Sequence, residues 1–471
     1  MPDRAPRPGE GSGQQYQLPD QYGPARAPRR APSDAGAAVV VRPAGPTAVL
    51  DREVVTPPQP TRSELAAGTR PKRSPWIWRS IAIVLVIVMI PVGISYLHAL
   101  QAPGTDSLGI RTVEWVRDHG GNGVVNTIER WWYTNNPPPE GGTPGKIEVA
   151  GTKGGVGQPV IRSDVGVTGI AAPIPVQHLA PPTANRVPTP AAVVEQNEGV
   201  WQAAGRTVGG YPAVYTTYVR PNATNTSYYT GLMWLDTKLL RASYVVGLTE
   251  PGGGPNPWNS QIPTNLRGTA IAAFNSGFKM DSARGGAWLD GQEIRPLVGG
   301  GASFVIKKDG SASVGVWGRD FVMGGDIQAV RQNLELLVDN HTLNPAVREE
   351  DTTVFGATLG NKALVWRSGV GVDANGALIY AGGPALSVLS LAKTLLNAGA
   401  VRAMELDINT DWVSGYTYVP EDVANPSSAT IGTKLLDNMS RGGDRYFSPG
   451  ERDFFAFIAD PKTLEVPAGK K

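Results

Sequence analysis

Hydrophobic and polar positions follow several different patterns along this chain. Between Ser80 and Thr105 no residue carries a formal charge, and Ile81 to Ile90 is unbroken apolar chain. A helix over Trp76 to Leu97 would be roughly 33 Å long at about 1.5 Å per residue, enough to cross a bilayer. Trp76, Trp78 and Tyr96 stand near its ends, where aromatic belts belong, and Pro91 is tolerated in such a helix. A soluble core helix rarely runs this far without a charge. The pattern predicts a single transmembrane helix over 76–98.

On either side the patterning is weaker. Residues 1–75 show no sustained periodicity and are rich in Pro, Ala, Gly, Arg and Gln, the signature of a disordered tail. Residues 99–133 predict a juxtamembrane helical segment, interrupted at Gly120-Gly-Asn-Gly123. Its apolar positions, among them Trp115, Val124, Val125, Ile128, Trp131 and Trp132, either lie at the membrane surface or pack on the main domain. Residues 134–198 form a Pro/Gly-rich run that cannot bury enough apolar area to offset the entropy of ordering, so a linker is expected.

From 199 to 471 the pattern turns to strands. Val214–Val219, Ala242–Val246 and Thr269–Phe274 read as short strands. Asp309-Gly310 and Asn375-Gly376 each separate two apolar runs, the strongest short-range signal for a hairpin. Between Leu386 and Gly399 the period becomes helical, with Ser387 placed as N-cap and Gly399 as the stop. Val401 to Leu406 is a strand again. These elements predict an α+β fold: a single exported domain rich in antiparallel strands with a few helices, behind one transmembrane helix and a disordered N-terminal tail.

Composition narrows the chemistry. Cysteine is absent, which excludes disulfides, thiolate metal sites and a cysteine nucleophile, and the chain has four His and no H-E-x-x-H. The net charge of +2 is unevenly placed: residues 1–75 carry +4 and residues 101–471 carry −3. No basic domain exists to grip a phosphate backbone, so no nucleic acid partner is expected. Arg70, Lys72, Arg73 and Arg79 flank the N-terminal side of the apolar stretch. The positive-inside rule therefore puts the tail in the cytoplasm and the C-terminal domain outside, in a single-pass plasma-membrane protein. Walker A, G-x-S-x-G and dinucleotide-binding patterns are missing.

The densest polar group is Glu405-Leu-Asp-Ile-Asn-Thr-Asp-Trp412. Strand alternation puts Glu405 and Asp407 on one face, their Cα atoms about 6.7 Å apart. Paired carboxyls at the end of a strand suit glycosyl transfer, one giving a proton and the other serving as base or nucleophile. Asp407-Ile-Asn-Thr-Asp411 opens like a calcium loop, but Trp412 stands where the turn glycine belongs, so an EF-hand is excluded. No cofactor is expected; a looser divalent cation near Asp407, Asn409 and Asp411 is left open, and the metal requirement is unknown.

Several segments in order then resemble the phosphodiester glycosidase family. Ala273-Phe-Asn-Ser-Gly-Phe278 is similar to the family's N-G-G-F turn, Arg367-Ser-Gly-Val-Gly371 to its R-x-x-x-G strand, and Leu406-Asp407 to its L-D-G-G-G-S strand end. Ser276 replaces a glycine, and Ile408, Asn409 and Thr410 replace the glycine run, so the chain looks like a divergent, membrane-anchored bacterial member. The resemblance implies a hydrolase of a sugar-1-phosphodiester in an envelope polymer or glycolipid. Asp407 and Glu405 would then be catalytic, and Asn275, Gly277, Arg367, Asn409 and Asp411 would bind substrate, with Arg367 on the phosphate. The alternative is a non-catalytic binder of envelope glycans on the same fold, with Trp258, Trp288, Trp366 or Trp412 as stacking platforms.

Overall fold

The computed structural model describes residues 75–101, 107–144, 176–348, 354–355, 364–420 and 430–464. Apart from Pro75, the expected disordered tail lies outside the described residues, as does the middle of the expected linker, 145–175.

Three helices come first: α1 (Pro75–Leu100), α2 (Leu108–Val116) and α3 (Asn122–Asn135). Then follow β1 (Gln202–Val208), β2 (Tyr211–Val219), β3 (Thr230–Leu235), β4 (Leu240–Val245), α4 (Thr264–Arg267), β5 (Ala270–Asn275), α5 (Met280–Ala283), β6 (Ala287–Leu289) and β7 (Gln292–Arg295). The middle of the chain gives β8 (Ala302–Lys307), β9 (Ala312–Val316), β10 (Ile327–Gln332), β11 (Leu336–Asp339), β12 (Thr342–Leu343) and α6 (Pro345–Arg348). Last come β13 (Val365–Asp373), β14 (Leu378–Leu386), α7 (Val388–Asn397), β15 (Ala400–Glu405), β16 (Gly415–Pro420), β17 (Thr430–Lys434) and β18 (Phe454–Ala459).

Within α1, Arg79–Leu100 has a mean hydropathy of 2.5 and no part of it is buried. Among the described residues it is the one helix long and apolar enough to cross a membrane.

The strands form three sheets, in the orders β1-β2-β3-β14-β13-β15-β11-β12, β7-β6-β10-β8-β9 and β17-β16-β5-β18-β4. Every pairing between these strands is antiparallel. Both Asx-Gly signals make hairpins: Ile306 pairs with Ala312 across Asp309-Gly310, and Val372 with Leu378 across Asn375-Gly376. Gly310 and Gly376 take φ of 82° and 91°, a region open to glycine without a Cβ clash. Helix α7 begins at Ser387, whose hydroxyl accepts from Ser390 N–H while the Ser390 hydroxyl accepts from Ser387 N–H, a capping box. It packs over β13, where a Cβ on Gly369 would come within 2.9 Å of the Met404 carbonyl and 3.0 Å of Leu395. A side chain there would push the helix off the sheet.

The sheets meet at an aromatic core. Phe274 of β5 stacks on Tyr380 of β14 with ring centres 4.7 Å apart, and Phe304 of β8 lies 4.2 Å from Phe455 of β18. All four rings are almost completely buried. At about 1.5–3 kcal/mol per buried large apolar side chain, this junction is a main source of the domain's cohesion.

The described ends of the expected linker are bound to this domain. Gly141 N–H donates to the Thr224 carbonyl (2.7 Å), and Asn225 Nδ2 donates to the carbonyls of Pro138 and Pro139. Leu179 N–H donates to Asp236 (2.7 Å), and Arg186 donates to the carbonyls of Glu195, Gln196 and Glu198. Val187 is buried with Trp201 and Leu232. Such irregular chain carries no period to read in the sequence; it is held by polar groups of loops and of the Asp236 side chain.

Candidate functional site

The carboxyls singled out from the sequence lie where the chain leaves one sheet for another. Strand β15 lies against β13, and beyond Glu405 the pairing continues as Leu406 N–H to Ser368 O (2.8 Å) and Ser368 N–H to Asp407 O (3.1 Å). At Asp407 the partner changes: its N–H donates to the carbonyl of Ser276, just past β5 (3.1 Å). Asp407 Oδ1 then accepts from Asn409 N–H (3.0 Å), and Asn409 Oδ1 from Asp411 N–H (2.9 Å). These are two successive Asx turns, in which side-chain oxygens of the loop accept from its own backbone amides.

Asn275, Gly277, Arg367, Glu405 and Asp407 converge here, and each of the four polar side chains is at least nine-tenths buried. Sequence reasoning placed both acids at a strand end; the structure buries them and gives them different cations. Arg367 Nη1 donates to Glu405 Oε1 (2.6 Å), while its Nε donates to the Leu386 carbonyl (3.1 Å). Arg452 donates to Asp407 Oδ2 and to the Gly277 carbonyl. Gly277 is tight: a Cβ would meet the Asn333 side chain at 3.1 Å. Asn409 and Asp411 line the loop and are partly exposed.

Asn275 is fully committed to protein partners. Its Oδ1 accepts from Tyr380 Oη–H (2.8 Å) and Ser414 N–H (3.1 Å). Its Nδ2 donates to the Ser276 carbonyl and the Ser368 hydroxyl, both at 2.9 Å. The Ser368 hydroxyl donates in turn to the Asp407 carbonyl (2.7 Å). Asn275 therefore fastens β5, β13, β14 and the Asp407 turn together.

Electrostatics separate the two acids. Burial pushes the Glu405 carboxyl up to about 7 against the pull of Arg367, and nearby Asp407 adds to the rise. Burial also raises Asp407, with Arg452 and the amides of Asn409 and Ile408 pulling against it. Glu405 Oε2 is buried with no hydrogen-bond partner, which disfavours its charged form.

Sequence reasoning missed the other half of this cluster. Asp453, immediately before β18, accepts from Arg331 Nε and from Tyr244 Oη–H, both at 2.7 Å. Glu250, raised by burial, accepts from Met280 N–H (3.0 Å). Arg331 is 1% exposed. The available signal was Glu451-Arg-Asp453 directly before the apolar run Phe454-Phe-Ala-Phe-Ile-Ala459, the same charged-edge pattern as at Glu405.

Trp412 does not fit the role of a stacking platform, since it is 2% exposed. The guanidinium groups of Arg441, Arg445 and Arg452 lie 4.9, 4.9 and 5.4 Å from its ring. Trp258, Trp288 and Trp366 are partly exposed. Trp258 helps line a pocket with Asn256, Tyr244, Asp290 and Gln328, and Tyr244 also donates to the buried Asp453. Among the described residues no group of three or more His, Asp or Glu is arranged to hold a metal ion. Both Asp407 oxygens and the Asn409 Oδ1 already have protein donors.

No family model matches the chain, and no curated protein matches it. Among solved structures it is similar to the zebrafish N-acetylglucosamine-1-phosphodiester α-N-acetylglucosaminidase catalytic domain, auto-inhibited by its pro-peptide. The identity is 16%, over 55% of this chain and 87% of that one, with a TM-score of 0.35. A hypothetical protein from Synechocystis is 11% identical over 54% of this chain and 64% of its own, with a TM-score of 0.33. These are distant structural likenesses; they assign no family and carry no argument about chemistry.

Proposed function

We propose that the domain is an extracytoplasmic hydrolase, anchored by α1, that cleaves the glycosidic bond of a sugar-1-phosphodiester in an envelope polymer or glycolipid. The observation that carries this reading is the pair Glu405 and Asp407: neighbouring buried carboxyls with separate cations, one pushed up to about 7. A buried carboxyl held beside a guanidinium can take and return a proton, which is what base catalysis needs. The basic flank before α1 supports the outward orientation.

In this reading Asp407, ionised beside Arg452, takes a proton from water. The water oxygen attacks the anomeric carbon, and the bonding pair of the C–O bond leaves with the phosphate. That leaving group is a weak base and needs a cation more than an acid, a role that passes from Arg367 to Arg452. Arg367 instead balances Glu405, the second titrating group. Asn275 and Gly277 position the Asp407 turn, and Asn409 and Asp411 present the loop to the sugar.

The test is release of phosphomonoester from synthetic sugar-1-phosphodiesters by the full chain in detergent. Asp407→Asn should lower the rate by about 10²–10⁴, the usual worth of one acid–base group. An inert wild type across sugars and leaving groups would sink the hydrolase. The pocket at Trp258 favours a second reading, a glycan binder. There, Trp258→Ala would abolish glycan affinity and Asp407→Asn would leave it intact.

A further inference from the structure

Helix α3 has an apolar stripe that the domain does not cover. Val124, Ile128 and Trp131 recur at helical spacing and are 61%, 60% and 62% exposed, with Trp132 beside them at 56%. Val125, a quarter-turn away, is 7% exposed. A soluble surface does not gather large side chains in this way without a partner.

What precedes the stripe says what covers it. Helix α2 is fastened to the last turns of α1. Tyr96 and Thr112 share a hydroxyl hydrogen bond (2.9 Å), Trp115 Nε1 donates to Ser95 (3.1 Å), and Arg111 donates to the Leu100 carbonyl (2.6 Å). Helix α2 therefore doubles back beside the end of the apolar helix, at the level where a bilayer's hydrocarbon gives way to headgroups. Its outer side holds the domain: Lys279 Nζ pairs with Glu114 (2.6 Å) and Asp118 (2.8 Å). Lys279 is two residues from Gly277, whose carbonyl accepts from Arg452.

We infer that α3 lies along the surface of the bilayer that α1 crosses, its Val124/Ile128/Trp131 stripe among the acyl chains. Helix α2 is then the strut that seats the domain on that surface. The inference rests on the proposed membrane anchor. Tryptophans on one face of a short helix at this depth suit the interface, where an apolar ring body meets wet headgroups.

The native chain has no cysteine, so single-cysteine spin labels need no background removal. Full-length protein in lipid vesicles, labelled at Val124→Cys, Ile128→Cys or Trp131→Cys, is read for collision with oxygen against a water-soluble nickel chelate. Val88→Cys in α1 reports the bilayer core and Lys308→Cys, at an exposed hairpin, reports water. The stripe should favour oxygen over the chelate at least several-fold relative to Lys308→Cys, with Ile128→Cys shallower than Val88→Cys. Chelate access at the stripe equal to that of Lys308→Cys, with Val88→Cys still embedded, overturns the inference and leaves the anchor. Chelate access at Val88→Cys overturns both. Label-to-label distances at Ile128→Cys showing two copies face to face would replace the bilayer by a second copy of this chain and overturn it also.

Discussion

Asn275→Ala isolates the device that fastens the candidate site. The substitution removes four hydrogen bonds inside a region that is 4% exposed at this residue. Three partners keep another bond. Tyr380 still reaches the Ser414 carbonyl (3.3 Å), the Ser276 carbonyl still accepts from Asp407 N–H (3.1 Å), and Ser368 still donates to the Asp407 carbonyl (2.7 Å). Ser414 N–H loses the acceptor it has in Asn275 Oδ1. One orphaned buried donor costs about 1–3 kcal/mol, and three weakened bonds about 0.5–1.5 kcal/mol each, so the sum is about 2.5–7.5 kcal/mol. At roughly 2 °C per kcal/mol for a domain of this size, the melting temperature should fall by about 5–15 °C. Thermal melting of the detergent-solubilised chain, followed by near-ultraviolet circular dichroism, measures it. A double-mutant cycle with Tyr380→Phe should show coupling of about 0.5–3 kcal/mol, because the two share one bond. A melting point within about 2 °C of wild type, or strictly additive effects, would refute the reasoning that Asn275 acts through these four partners.

Other outcomes follow from the same geometry. Glu405 is raised from 4.5 to about 7 on folding, so its contribution to stability is complete below pH 4.5 and lost as pH rises through about 7. The stability of wild type relative to Glu405→Gln should therefore decline by about 3 kcal/mol between pH 4.5 and 8 at 1.36 kcal/mol per unit, and a flat difference in urea melts would count against a raised carboxyl. Asp407→Asn should cost stability as well as rate, about 3–5 kcal/mol, since it leaves Arg452, 7% exposed, without its carboxylate. Its activity must therefore be read well below its melting point. Fragments beginning at Val176 should melt cooperatively, whereas fragments beginning at Glu195 should lose several degrees with Val187 and the Arg186 bonds; equal melting points would show that the segment is passive. Reporter fusions at residues 60 and 470 should give opposite signals, and cytoplasmic activity at 470 would reverse the proposed orientation.

The local devices were legible in the sequence. Asp309-Gly310, Asn375-Gly376 and Ser387 each specify their turn or cap through neighbours within a few residues, and the apolar run of α1 needs no context. Glu405 and Asp407 were legible as a pair, but their surroundings were not. Alternation assigns faces within one strand and says nothing of a second sheet covering the outer face. Arg452 and Asp453 reach the cluster from 45 and 209 residues beyond their partners Asp407 and Tyr244, a separation no periodicity encodes. The same limit applies to residues 176–198, held by the Leu179 bond to the Asp236 carboxylate, the Arg186 bonds to nearby carbonyls and the burial of Val187.

The position of β18 bears on how the chain is made. This late strand is inserted between β5 and β4, and β4 has no other strand neighbour in its sheet. Tyr244 and Asp453 are 209 residues apart, so at ribosomal speeds of 5–20 residues per second roughly 10–40 s separate their synthesis. During most of that interval β5 waits without β16 or β18, and β4 has on one edge only the bond from Ala242 N–H to the Gly310 carbonyl, so each is a template for pairing with another chain. The sheet closes only when its last strand arrives, so a chain stalled before Phe454 carries Arg452 and Asp453 but lacks the strand that seats them between β5 and β4.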